Sequence, residues 1–264
     1  MRSRFSWRIG VCFGLLVALG SWWFASPVTG EEPLTPVIVE LFTSQGCSSC
    51  PPADDLLRSL ERNQPVNGAL IIPLSEHVDY WNRLGWRDPF SSRRFSDRQR
   101  TYAESLGTTN IYTPMMVVDG GVAFVGSRPI TAREAVVAAR KTPKATLTLE
   151  AKVSADRASV TVQGVVTELP DASQQPDVWV AITEGHLTTE VTRGENASRT
   201  LTHTGVVRSL DWIGTLTDPA NDLYQVEGRI QLRSAWRREH LRLVMFLQDP
   251  TSGRIVGAAQ LPIG

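Results

Sequence analysis

Apolar and polar positions alternate in two different ways along the chain, and the change falls near its middle. In the first part, short apolar β-branched runs are separated by stretches with helical spacing and helix-capping residues. An Asp-Gly-Gly turn joins the last two runs of this part, which is a strong hairpin signal. The pattern predicts a strand, a helix, a strand, a helix, a strand hairpin and a helix, at 35–42, 51–63, 68–78, 91–107, 113–126 and 130–141.

The second part of the chain loses the helical spacing. Alternating runs such as "TLTLEAKV", "SVTVQGVV" and "DVWVAITE" follow one another, with turn residues about every 8 to 12 positions. This pattern predicts an all-β sandwich over 144–264, whereas the alternation of helices and strands before Pro143 predicts an α/β domain over 31–143. Crossover connections would give the α/β domain a parallel core, with the hairpin added in antiparallel orientation.

The N-terminal segment 1–30 has the pattern of a secretory signal. Arg2, Arg4 and Arg8 precede an apolar run of about 17 residues, and small and polar residues follow it. Cleavage is predicted near Gly30, which places the protein in the periplasm or outside the cell. An uncleaved membrane anchor is the alternative, and it would be the chain's one contact with a membrane.

Composition narrows the function classes. Lys and Arg balance Asp and Glu, 27 against 27, so the charge gives no reason to expect a nucleic-acid partner. Of the three cysteines, Cys12 lies in the apolar run and leaves with it, so that Cys47 and Cys50 remain. Neither an organic cofactor nor a bound metal is predicted.

The spacing C-x-x-C, between a predicted strand and a predicted helix, favours redox chemistry. Backbone N–H groups and the helix dipole would stabilise the thiolate of Cys47, making it an exposed nucleophile, and Cys50 would be the resolving thiol. Two alternatives stay open. Cys47, Cys50 and His77 are suitable ligands for copper, which would make the protein a soft-metal carrier. The second alternative is a structural Cys47–Cys50 disulfide in a non-catalytic scaffold, although a disulfide that closes so short a loop removes little chain entropy.

The strand, the C-x-x-C pair at a helix start and the later "YTPMMVVDG" hairpin together resemble the thioredoxin fold. That resemblance implies a cis Thr113–Pro114 bond beside the cysteines, where Pro114 keeps the backbone open for an extended substrate. It also implies that Glu40, on the first strand, relays a proton to Cys50. The expected fold class is therefore an α/β thioredoxin-like domain followed by an all-β sandwich domain.

Longer stretches resemble a bacterial exported family known as domain of unknown function 1223. They are "VELFTSQGCSSCPPADDLL", "HVDYWNRLGWRDPFSSRRFSDRQRTYA", "YTPMMVVDG" and "GENASRTLTHTGVVRSL". The family has no assigned function, so exchange between thiols and disulfides is implied only through the fold. The expected partners are protein or small-molecule thiols and disulfides, together with a redox partner that recycles the cysteines.

Substrate-binding candidates lie around the second strand and the hairpin. His77 and Asp79 alternate at a strand end, so both are expected to face one cleft, where they would pair as a proton shuttle or, alternatively, as a hydrogen-bonded structural contact. Trp81 and Trp86, in an aromatic loop, would line that cleft, or would pack as a small core under the loop. Thr113 is placed there by its neighbour Pro114.

Two further polar groups are open to more than one interpretation. The arginines at 93, 94, 98 and 100 fit a solvated helix face, with an anionic-ligand site as the alternative. Arg193, Glu195, Arg199 and His203 fit a long polar hairpin, and would otherwise dock the second domain against the redox domain.

Overall fold

A computed structural model of the chain describes residues 33–264, except 109, 172, 174 and 218–222. The predicted signal or anchor at 1–30 lies outside the described residues. Within the described part of the chain, no helix is long and apolar enough to cross a bilayer.

Three α-helices form among the described residues, and their ends follow local chemistry. Prolines occupy the first turn of Pro51–Asn63 (α1) and of Pro129–Ala139 (α3), where a missing N–H is tolerated. Arg93–Ser105 (α2) begins after Ser92, whose hydroxyl accepts a hydrogen bond from the Arg94 N–H. The predicted bounds of α1 are confirmed. Two short 3-10 helices cover Asn82–Leu84 and Arg238–His240.

Strands make up most of the remaining regular structure. In chain order, those in the described residues are Thr35–Thr43 (β1), Ala69–His77 (β2), Met115–Val118 (β3), Val122–Val125 (β4), Thr146–Val153 (β5), Ser159–Thr167 (β6), Asp177–Glu184 (β7), Leu187–Val191 (β8), Arg199–His203 (β9), Val206–Thr215 (β10), Tyr224–Gln231 (β11), Leu241–Gln248 (β12) and Ile255–Pro262 (β13).

Eight of these strands form one mixed sheet, in the order β13-β12-β7-β10-β2-β1-β3-β4. β1 and β2 run parallel through the α1 crossover, and β3 and β4 add an antiparallel hairpin beyond β1. On the other side, β10 joins β2 in parallel through the pair Val206 and Ser75, and β7, β12 and β13 continue antiparallel. Separate small sheets form from β11-β6-β5 and from β8-β9.

This topology shows that the predicted fold class is wrong. The chain is not a thioredoxin-like α/β domain followed by a β-sandwich, because strands from both sides of Pro143 share the large sheet. The edge of β2 is occupied by β10, and the Ser75 N–H donates to the Gly205 carbonyl at 2.8 Å. Alternating apolar residues show that a strand is half-buried, but they do not show which edge it joins.

Both faces of the large sheet are covered. On one face, α1 and α3 pack over β1, β2 and β3, and the three-stranded sheet packs over β7 and β12. On the other face, α2 contributes Phe95 and Tyr102 to clusters that include Phe42, Leu74 and Phe246. Because side chains alternate along each strand, neighbouring residues of β1 belong to different layers.

Candidate functional site

The two cysteines lie in the turn that leads from β1 into α1. Cys50 directly precedes α1, and its N–H donates to the Cys47 carbonyl at 3.2 Å. Both cysteines are free thiols and both are buried. The Cys47 Sγ lies 3.2 Å from the Ser49 hydroxyl and 3.9 Å from the Thr113 carbonyl oxygen. The turn therefore holds a reduced C-x-x-C pair at the amino end of a helix.

Their surroundings separate the acidities of the two thiols. The pKa of Cys47 is lowered from 9.0 to about 6, chiefly by a hydrogen bond from Cys50, with Ser49 and Thr113 contributing and burial opposing. Burial raises the pKa of Cys50 well above its ordinary value, and its interaction with Cys47 and the charge of Asp54 act in the same direction. The surroundings therefore favour the thiolate of Cys47 and the protonated thiol of Cys50.

Thr113 and Pro114 border the cysteine turn from the start of β3. The bond between them is cis, the isomer that the resemblance implies. The Trp81 indole N–H donates to the Thr113 hydroxyl at 2.7 Å, and the Ser49 hydroxyl reaches the Thr113 carbonyl at 3.5 Å. The structure thus brings Thr113, Pro114 and Trp81 to the cysteines.

Cys47 is not the exposed nucleophile that the sequence predicts, because its exposed fraction is 0%. The turn at 192–198, between β8 and β9, is held against the backbone of the cysteine turn. The Asn196 side-chain amide donates to the Gln45 and Cys47 carbonyls at 2.9 and 2.8 Å. Glu195 accepts a hydrogen bond from the Ser48 N–H at 2.9 Å. Ser48 and Ser49 remain exposed beside the buried sulfur.

The β8–β9 ribbon, residues 187–203, therefore packs against the cysteine turn rather than projecting as a free hairpin. Arg58 of α1 donates to the Thr202 carbonyl at 3.0 Å, which fixes the far end of the ribbon. Of the four polar residues predicted to form a cluster here, Glu195 and His203 reach the cysteine half of the chain. Docking is the interpretation that fits these contacts.

Behind the cysteine turn lies a buried polar network. The His77 Nδ1 lies 2.7 Å from the Asp88 carboxylate, which also accepts from the Gln45 N–H at 2.8 Å. His203 joins from the ribbon, with its Nε2 3.2 Å from the Gln45 amide and its Nδ1 3.5 Å from Asp54. The rings of His77 and His203 are 4.8 Å apart in an edge arrangement.

In this network, His77 and Asp88 each shift the pKa of the other toward its charged form. Although burial acts against it, the Asp88 carboxylate raises the pKa of His77, and the charge of Asp54 adds to the effect. In turn, His77 lowers the pKa of Asp88 in spite of that residue's burial, and hydrogen bonds from the backbone help. The network thus favours the charged forms of His77 and Asp88 next to the cysteine turn.

The predicted pairing of His77 with Asp79 is wrong. Asp79 instead accepts a hydrogen bond from the Ser96 hydroxyl at 2.6 Å, while Asp88 takes the place at His77. Trp86 does lie at the site, where its indole N–H donates to the Gln45 side chain at 3.1 Å. The aromatic loop therefore braces the cysteine turn through Trp81 and Trp86.

Glu40 is not placed to relay a proton to Cys50. It faces the α2 side of the sheet, whereas its neighbours Val39 and Leu41 face α1 and the cysteine turn. Because side chains alternate along a strand, a shift of one residue moves a group to the opposite face. The carboxylate that acts on Cys50 is instead Asp54, in the first turn of α1.

Glu40 forms a second buried cluster under α2. The Arg98 Nε lies 2.6 Å from one Glu40 oxygen and 3.4 Å from Glu76, and the Tyr102 hydroxyl donates to the other Glu40 oxygen. Gln248 bonds both Arg98 and Tyr102, at 3.1 and 2.9 Å. Neither Glu76 oxygen has a hydrogen-bond partner in the described residues, although Arg98 is within ion-pair distance.

Among the described residues, Arg98 is the one cation beside the buried carboxyls of Glu40 and Glu76 in this cluster. This arrangement predicts how Glu76→Gln changes the stability of the protein. Burial, followed by the charge of Glu40, raises the pKa of Glu76 well above 4.5. Above about pH 4.5 the unfolded chain releases this proton while the folded protein retains it, so the free energy of unfolding falls as the pH rises. We expect the Gln variant to lack that fall and to be more stable at pH 8 by about 1–2 kcal/mol.

Urea unfolding of both proteins at pH 4, 6 and 8 measures this difference. Glu104→Gln, which removes a carboxylate from the exposed face of α2, is the matched control and should show no such trend. If the difference in free energy of unfolding between Glu76→Gln and the parent does not grow with pH, Glu76 is ionised in the folded protein.

Several residues of the site have no separate sequence signal. Asp54 follows Cys50 by four residues, one helical turn, and that spacing is the one clue to its position. Asp88, Asn196 and His203 reach the site only through the folding of the loop and the ribbon.

The structure also bears on the metal-carrier alternative. Within the described ranges, no three His, Cys, Asp or Glu side chains are grouped so that they could hold a metal ion together. His77, the proposed third copper ligand, directs its Nδ1 to Asp88. No observation on these residues favours copper over exchange.

Comparison with solved structures identifies similar folds. Protein AGR_C_4864 from Agrobacterium tumefaciens superimposes with a TM-score of 0.69 and 27% identity, covering 89% of this chain and 97% of that one. HBP35 of Porphyromonas gingivalis gives a TM-score of 0.68 over 89% of this chain and 77% of that one, and its 14% identity shows a shared fold alone. No curated protein matches the chain.

The family comparison covers the cysteine turn, the aromatic loop, α2 and the ribbon together. The model of a family described as "Protein of unknown function (DUF1223)" matches residues 38–248, which is most of the chain. The chain therefore belongs to the DUF1223 family of proteins of unknown function.

Proposed function

We propose that the protein is a thiol–disulfide oxidoreductase that uses Cys47 and Cys50. The observation that carries the proposal is the contrast between the two thiols, with the pKa of Cys47 lowered to about 6 beside a Cys50 thiol that donates to it. A thiolate at neutral pH is the reactive species in disulfide exchange, and a neighbouring protonated thiol is suited to resolve the product.

In the first step, the Cys47 thiolate attacks one sulfur of a substrate disulfide. A bond forms between Cys47 and that sulfur, the substrate S–S bond breaks, and the other substrate sulfur leaves as a thiolate. The Cys50 thiol and the Ser49 hydroxyl, which stabilise the Cys47 anion at rest, release it as the new bond forms.

In the second step, Cys50 loses its proton and attacks Cys47. The mixed disulfide breaks, the substrate sulfur that Cys47 held leaves as a thiolate, and a Cys47–Cys50 disulfide remains, so two electrons have passed to the substrate. We assign the proton of Cys50 to Asp54, whose charge acts on this thiol and which lies 3.5 Å from the His203 ring. A dithiol partner would return the electrons, and the reverse direction uses the same atoms.

The burial of Cys47 restricts which substrates can react. A disulfide has to enter beside the exposed Ser48 and Ser49, displacing their side chains or the covering turn at 192–198. The Glu195 hydrogen bond to Ser48 is at the surface, so it is the contact that an entering chain would replace first. Extended or flexible segments that carry a disulfide are suited to this entry, and an exported location would supply them.

A redox titration tests the proposal. The protein, without its first 30 residues, is equilibrated in glutathione buffers, alkylated, and scored for Cys47 and Cys50 by mass. We expect a midpoint between about −120 and −270 mV, the range of exchange enzymes. A midpoint below about −300 mV is typical of a structural disulfide and would refute an exchange function.

A further inference from the structure

We propose that the cavity between the amino end of α2 and strands β10 and β11 binds an organic phosphate ester. The cavity has a volume of about 790 Å³, within the range of about 300–1,000 Å³ that small-molecule sites occupy. It is separate from the cysteine turn, since neither cysteine lines it. The inference does not depend on the redox function.

The charge of the cavity wall is strongly one-sided. Five arginines line it, against a single carboxylate, that of Asp211. The arginines are Arg93, Arg94, Arg208, Arg229 and Arg233. Three of them, Arg93, Arg94 and Arg208, lie 3.6 to 3.9 Å from carboxylates of the chain, so positive charge remains in excess in the wall. An anionic ligand would offset that excess.

Three arginines of this wall form ion pairs within the described residues, and Arg208 is the most buried of them, with a side chain that is 18% exposed. Its Nε lies 3.6 Å from Glu184, and its guanidinium stands 5.0 Å from the Phe90 ring centre and 5.7 Å from that of Trp236. Burial and the neighbouring charge of Arg233 lower its pKa, against the effect of Glu184. A fixed, incompletely neutralised guanidinium of this kind is suited to hold an oxyanion.

Serine hydroxyls and the start of a helix form other polar parts of the wall. Ser91 and Ser92 line the cavity at the start of α2, a helix of 13 residues whose first N–H groups carry partial positive charge. The Ser209 hydroxyl, also in the wall, is buried and has no hydrogen-bond partner in the described residues. Arg233 forms no ion pair within the described part of the chain.

The apolar part of the wall favours a phosphate ester over inorganic phosphate as the ligand. Phe90, Trp212 and Trp236 line the cavity, and the Trp212 side chain is unusually exposed for its size, with the residue 56% accessible. Aromatic rings beside guanidinium groups accommodate a flat or apolar body attached to an anionic group. A phosphate monoester with an aromatic substituent combines the two features.

Phenyl phosphate is the probe that matches this chemistry. We expect calorimetric titration to show saturable binding to the protein, with inorganic phosphate and phenol each binding more weakly. In Arg208→Gln the affinity should fall by about tenfold or more, the usual effect of losing a hydrogen bond between charged groups. The double variant Arg94→Gln/Arg233→Gln should lose affinity to a similar extent.

The double variant keeps the test decisive if Arg208→Gln fails to fold, because Arg94 and Arg233 are exposed. Arg133→Gln removes one positive charge, as Arg208→Gln does, from the exposed side of α3 and should bind as the parent does. No binding of phenyl phosphate, or equal binding by the double variant, would overturn the proposal. Phosphatidic acid is also a phosphate monoester, so binding to its vesicles without binding of phenyl phosphate would overturn a soluble aromatic ligand in favour of a lipid headgroup.

Discussion

Replacing Cys47 by serine is expected to abolish disulfide reduction. A serine hydroxyl is not ionised at neutral pH, so the attacking thiolate that the surroundings of Cys47 stabilise is lost. We expect the rate to fall by about a thousandfold or more, as it does when other enzymes lose their nucleophile. The measurement is the rate at which the protein, recycled by dithiothreitol, reduces a fluorescent peptide with a disulfide.

Cys50→Ser is the matched control for this experiment. Its Cys47 can still attack but cannot be resolved, so a covalent adduct with one half of the peptide should accumulate and be seen by mass. Cys47→Ser should form no adduct. An adduct on Cys50 in the Cys47→Ser protein would mean that the order of the two thiols is reversed.

The pH dependence of Cys47 alkylation completes this test. In the parent protein, the rate should rise with pH through a midpoint of about 6. Cys50→Ala removes the hydrogen bond that contributes most to this low pKa, so the midpoint should move upward, toward the ordinary value of 9.0. Cys50→Ser retains a hydroxyl donor and should shift it less.

The largest loss of stability is expected from Arg98→Leu. Arg98 is the cation between the buried carboxyls of Glu40 and Glu76, and Tyr102 and Gln248 complete the cluster. Without it, charge is left in the protein interior with no counter-ion. Removing one partner of a buried ion pair lowers the free energy of unfolding by about 3–5 kcal/mol, and we expect a loss of that size.

Chemical denaturation measures this loss, with Arg100→Leu as the control. Arg100 is on the same helix but is about half exposed and pairs with Asp97 at the surface, so its replacement should change stability by less than about 1 kcal/mol. Glu76→Gln combined with Arg98→Leu should recover part of the loss, because it removes one of the two carboxyls. Equal effects of the two leucine substitutions would show that the Arg98 cluster does not stabilise the fold.

Short sequence patterns were sufficient to locate the cysteine pair and the helix and hairpin beside it. The prolines after Cys50 set the start of α1, the Asp-Gly-Gly turn joins β3 to β4, and the Thr113–Pro114 step lies beside the cysteine turn. These features depend on residues that are close in sequence or on a single strand pairing. Their prediction therefore needs little knowledge of the rest of the fold.

Contacts between segments that are distant in sequence determine which other residues lie at the site. Glu40 has the right residue type, on the right strand, but it faces the wrong side, because one position along a strand reverses the side chain. Asp88 replaces Asp79 at His77 because the loop folds back onto the strand end. Asn196 and His203 arrive from more than 140 residues away, which no local spacing reveals.

By itself, the sequence determined the positions of most helices and strands in the first half, the C-x-x-C pair at a helix start, and the family to which the chain is similar. Only the tertiary structure decided that β10 occupies the free edge of β2, that one sheet joins both halves, and that the β8–β9 ribbon packs against the cysteine turn. The physical reason is that every residue type except proline offers the same backbone hydrogen-bonding groups along a strand edge. Which two edges pair is settled by the packing of whole layers, and this packing is a property of the complete chain.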